Sequence, residues 1–70
     1  MPAYRVWADT KSESCLLLAE SEGDAIDCIS LMAIYGDRPL NAVRDSDNWD
    51  LPHDFVVLPT GGTVQKPGLK

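Results

Sequence analysis

Basic side chains are few in this chain: six Lys and Arg stand against eleven Asp and Glu, a formal charge of -5. All eleven acids fall between Asp9 and Asp54, where the bases are Lys11, Arg38 and Arg44. Such a field repels phosphates and attracts basic surfaces, which argues against direct binding of nucleic acid and for a basic protein partner. Histidine is scarcer still, and one His with no closely spaced cysteine pair is no zinc signature. No apolar run approaches the ~20 residues of a membrane span, and no charged-then-apolar leader opens the chain, so the expected place is the cytoplasm, with no membrane partner. Two cysteines are too few for a disulfide scaffold; both lie in apolar text and read as small core hydrophobes with free thiols. Repeats, linkers and low-complexity tracts are lacking too. Seventy residues allow one domain, with residues 67–70 expected as a frayed tail.

What is present is organised around residues 21–36, the one segment long and apolar enough to build a core. Ser21 is placed to cap the start of a helix by accepting from the amide of Asp24, and Gly36 to take a left-handed residue past its end. Ala25, Ile26, Ile29, Met32 and Ala33 form a core stripe, whereas Leu31, Ile34 and Tyr35 make the last turns apolar nearly all round. That remainder is covered either by residues 40–43 or by another molecule, which makes Leu31, Ile34 and Tyr35 a candidate homodimer surface.

Before the helix, residues 3–8 alternate as a half-buried strand, and residues 15–19 are continuously apolar, as in a central strand. After it come turn chemistry at Asp37 to Pro39, a long acidic stretch at 45–54, a strand at 55–58, and a Gly61-Gly62 turn returning a short edge strand at 64–66. The expected class is α+β: one helix on a small antiparallel sheet, in the order β-β-α-(long loop)-β-β.

The densest set of polar ligands is Asp45, Asp47, Asn48, Asp50, His53 and Asp54. Read as an EF-hand loop it fails, because the sixth position is Asp50 instead of glycine and the twelfth is Val56 instead of a bidentate Glu. A solvated acidic loop is the simpler reading, and no metal or cofactor is assigned. Cys15 or Cys28 with His53 would supply the parts of a nucleophilic site, but nothing in their spacing brings them together, and no catalytic residue is assigned. Trp7 reads as a sheet-face residue. Trp49, flanked by Asn48 and Asp50, is either a lid on the core or an aromatic anchor ringed by carboxylates.

Tyr4-Arg5-Val6-Trp7, a second strand, and Ala19-Glu20-Ser21 opening a helix at Asp24-Ala25-Ile26 together resemble small accessory proteins of phages and other mobile elements, anti-CRISPR proteins among them. The resemblance covers the first half of the chain and carries no catalytic residue. It implies an acidic inhibitor that occupies the nucleic-acid-binding surface of a host defence complex by mimicking DNA. From the residues themselves, more charge follows Arg44 than turn chemistry requires. The expected function is therefore a non-enzymatic binding module in which Asp45, Asp47, Trp49, Asp50 and Asp54, joined by Asp37, Asp24 and Asp27, meet a basic protein surface. The rival expectation is a structural or assembly protein that forms a homodimer through the apolar helix end or a sheet edge.

Overall fold

In a computed structural model, which describes residues 1–45 and 51–67, the chain forms five strands and one α-helix. Strand β1 (Ala3–Trp7) turns through a single 3-10 turn at Lys11–Glu13 into β2 (Cys15–Leu18). Helix α1 (Glu22–Met32) follows, then β3 (Asn41–Arg44), β4 (Phe55–Val57) and β5 (Thr63–Gln65). The strands make one antiparallel sheet in the order β3-β1-β2-β4-β5, so the expected α+β class holds.

Register explains which residues enter the core. Tyr4 lies opposite Leu17, and Val6 opposite both Cys15 and Ala42, so these side chains share the face that receives Ala25 and Ile29 of α1. Val56 of β4 is buried on the same face. Helix α1 lies across β1 and β3. The same sheet face is thinner toward β5, where Val64, opposite Val56, remains 39% exposed.

The start of α1 is as expected: Ser21 Oγ accepts from the Asp24 amide at 3.1 Å. Its end is not. The helix stops at Met32, and Ala33 takes the left-handed conformation at φ 56°, three residues before Gly36 at φ 67°. Continued to Gly36, the helix would place Tyr35 one turn beyond Leu31 on the same face, and Leu31 is 76% exposed. Breaking at Ala33 swings Tyr35 inward instead. There its hydroxyl donates to the Glu13 carbonyl at 2.6 Å and lies 3.3 Å from Cys15 Sγ. A tertiary hydrogen bond thus overrides the local stop signal.

Two further differences have local causes. Strand β3 occupies residues expected as a cover over the helix end; its four residues bury only Ala42, too little alternation to read as a strand. The turn between β4 and β5 is centred on Pro59 and Thr60, with Gly61 donating to the Leu58 carbonyl at 2.9 Å and the Leu58 amide donating to Gly62 at 2.7 Å. Pro59 presets the first turn residue, and Gly61, at φ 99°, supplies the positive φ of a three-residue hairpin loop.

Because Ala33 is an exposed L-residue held in the left-handed region, Ala33→Gly should stabilise the domain by about 1 kcal/mol. In a domain of this size that raises the melting temperature by roughly 4–8 °C, read by circular dichroism. A lowered melting temperature would show that the turn needs the methyl group.

Candidate functional site

The sheet register sorts the acids between two ends of the molecule. Ala3 pairs with Leu18 and Tyr4 with Arg44, while Phe55 pairs with Gln65, so the ends of β2, β3 and β5 and the start of β4 share one end. The chain leaves β2 there to begin α1, which brings Glu20, Glu22 and Asp24 to the same end. Asp45 joins them through its amide, which donates to Ala3 at 2.9 Å, and Asp54 through its carbonyl, which accepts from the Lys66 amide at 2.8 Å. Asp37 does not: it lies toward the opposite end, next to Arg38, which pairs with Asp9 beyond the end of β1. Asp47, Trp49 and Asp50 lie outside the described residues.

Not every acid at this end has the same role. Asp45 is half-buried, and its carboxylate accepts from Arg5 Nη2 at 2.7 Å, while Arg5 Nη1 donates to the buried Ser14 hydroxyl at 2.9 Å. That bridge fastens the end of β3 across β1 to the segment before β2, so Asp45 has a structural partner. Asp24, Asp27 and Asp54 are exposed.

Beside α1 runs an open groove of about 560 Å³, within the usual range for binding sites. Its helix wall is Asp24, Asp27, Cys28 and Leu31, a stripe at i, i+3, i+4 and i+7 next to the stripe that carries Ala25 and Ile29 into the core. The rest of the lining comes from the end of β2 (Leu17 and Leu18), from Ala19 and Glu20 after it, and from Met1, Lys66 and Pro67 across the gap. Lys66 Nζ donates to the Leu18 carbonyl at 2.6 Å. The groove combines a largely apolar lining with three carboxylates, at Glu20, Asp24 and Asp27, against the Lys66 ammonium and the α-amino group of Met1.

The groove was not foreseen. Its signal is the helical spacing of residues 24, 27, 28 and 31, hidden because the positive end of the helix already explains part of the acidity there. Leu31 stands exposed at its edge, whereas Ile34 and Tyr35 are half-buried against the core.

The thiols are poor nucleophiles in this setting. Burial pushes the pKa of Cys15 up, partly offset by its hydrogen bond with Tyr35. Burial likewise pushes Cys28 up, and the positive charge of Lys66 offsets only part of it. Both stay protonated at neutral pH, and the thiolate is the reactive form. Tyr35 is raised as well, first by burial, then by Cys15 and Glu13. His53 is exposed in the segment before β4. Among the described residues, no three His, Cys, Asp or Glu side chains gather as a metal-binding set, and no helix is long and apolar enough to cross a membrane.

Compared with known families and proteins, the chain matches no family model, no curated protein and no solved structure.

The raised thiols and Tyr35 have an alkaline consequence. The native state keeps these protons at a pH where the unfolded chain, titrating near 9.0 for Cys and 10.0 for Tyr, gives them up. Their contribution to stability is complete below pH 9 and is lost as pH rises through the native values. Urea midpoints under reducing conditions should therefore fall between about pH 9 and pH 11, and Tyr35→Phe should flatten the part of the fall above pH 10. An unchanged slope in Tyr35→Phe would contradict the assignment.

Proposed function

We propose that this protein is a non-enzymatic binding module whose acidic end engages a basic surface of a partner protein. The observation that supports this reading is the convergence of the α1 start with the segments flanking β3 and β4, which puts Glu20, Glu22, Asp24 and Asp54 at one end of the sheet. Glu22 and Asp24 gain only a few tenths of a kcal/mol each from the helix dipole, and Asp54 lies outside the helix and gains nothing from it. Concentrating exposed carboxylates costs mutual repulsion, which a Lys- and Arg-rich surface would relieve.

In the finer form of the reading, the partner surface ordinarily holds nucleic acid, as the resemblance to anti-defence proteins implies. Magnitudes limit the extent of such mimicry. A duplex carries about one charge per 1.7 Å of axis with both strands counted, so a length equal to the 26 Å width of this domain holds roughly fifteen phosphates around its circumference. The described acids at this end are far fewer, and Asp45 is tied to Arg5. The arrangement suits a short basic patch within a nucleic-acid groove better than the replacement of a whole duplex face.

Affinity capture from a bacterial lysate, with the wild type beside Asp24→Asn/Asp27→Asn/Asp54→Asn, tests this. A nucleic-acid-binding protein should be retained by the wild type, released at raised salt as screening increases, and lost from the triple variant. Retention that ignores both salt and neutralisation would contradict the proposal.

A further inference from the structure

The groove beside α1 is polarised along its length. Asp24 and Asp27 stand toward the start of the helix with Glu20 just beyond, and Cys28 and Leu31 stand toward its end. On the opposite wall Lys66 donates to the Leu18 carbonyl and keeps its charge, which acts on Cys28 at the apolar end of the order. From Asp24 to Leu31 the wall is about 10 Å long at 1.5 Å per residue, the reach of three or four extended residues.

We infer that the groove receives a short segment of a partner protein that is basic at one end and apolar at the other, with Lys or Arg beside Glu20, Asp24 and Asp27 and a Leu- or Phe-sized side chain against Cys28 and Leu31. This deepens the acidic-module reading and rests on it. Charge complementarity selects the occupant: the lining carries three carboxylates against the Lys66 ammonium and the Met1 α-amino group, a net negative charge that favours a cation. A second copy of this chain, at a formal -5, would bring like charge to an acidic wall. Leu31 supplies the apolar component, since 76% exposure leaves most of its side chain to be removed from water on binding.

The test is an amide NMR titration of the full chain with three peptides, each with four central residues flanked by Gly and Ser: Lys-Lys-Leu-Leu, Lys-Lys-Ser-Ser and Glu-Glu-Leu-Leu. The Lys-Lys-Leu-Leu peptide should bind about tenfold tighter than Lys-Lys-Ser-Ser and shift the amides of residues 20–31 and of Lys66, and Glu-Glu-Leu-Leu should not bind. Leu31→Ser, at an exposed position that leaves the fold intact by circular dichroism, should erase the tenfold preference while keeping the weaker charge-driven binding. Equal binding of the two Lys peptides, both lost in Asp24→Asn/Asp27→Asn, would overturn the groove but leave the acidic-module reading standing. Binding of Glu-Glu-Leu-Leu as tight as Lys-Lys-Leu-Leu would overturn both. A dimer that Leu31→Ser dissociates, or binding that appears only after residues 68–70 are removed, would assign the groove to the chain itself and overturn the proposal.

Discussion

One short helix has to cover a sheet that is wider than it is. An α-helix with its side chains is about 10 Å across, while five strands at about 4.8 Å spacing put some 19 Å between the outer strand axes. Here α1 settles over β1 and β3, where Ala25 and Ile29 meet Tyr4, Val6 and Ala42. The small side chains at Ala25 and Ala42 suit a close approach of helix to sheet on that side. The cover therefore thins outward: Val56 of β4 is still fully buried, whereas Val64 of β5 is 39% exposed. The groove lies where the free flank of α1 meets the end of β2 and the segment after β5.

The same constraint accounts for the break at Ala33. Extending α1 would lengthen its exposed face without reaching the uncovered strands. The chain instead turns at Ala33 and sends Tyr35 to the Glu13 carbonyl and the Cys15 thiol, closing the core at the end opposite the start of α1. Arg5 does the equivalent at the middle of the sheet, joining Ser14 and Asp45 on either side of β1. With both links made inside the domain, the exposed carboxylates at the α1 start and at Asp54 are left available for contacts outside it.

How much of this could be read from the residues depends on the range of the interactions involved. The cap at Ser21 was legible because donor and acceptor are three residues apart, and the β4–β5 hairpin from its Gly61-Gly62 pair, although the turn is centred on Pro59 and Thr60. Strand β3 was not legible, since Asn41, Val43 and Arg44 are exposed and only Ala42 marks an inner face. The helix end was misplaced because Gly36 is a good local stop, whereas the actual stop is set by Tyr35 reaching residues more than twenty positions away. At the candidate site, the acidity of Asp24, Asp27 and Asp54 was visible, but their shared end depends on strand order, and the place of Lys66 against Leu18 on a contact 48 positions long.

The placement of α1 over one half of the sheet can be tested directly by methyl NMR with a soluble paramagnetic probe. Leu31 and Val64 methyls should relax strongly at low protein concentration, with Ile29 and Val56 shielded and Ile29 giving contacts to Ala42. If Val64 is instead as shielded as Ile29, the helix covers the β5 side; if Leu31 is, the flank of α1 is covered, no groove is open beside it, and the acidic wall assigned to it is no binding site.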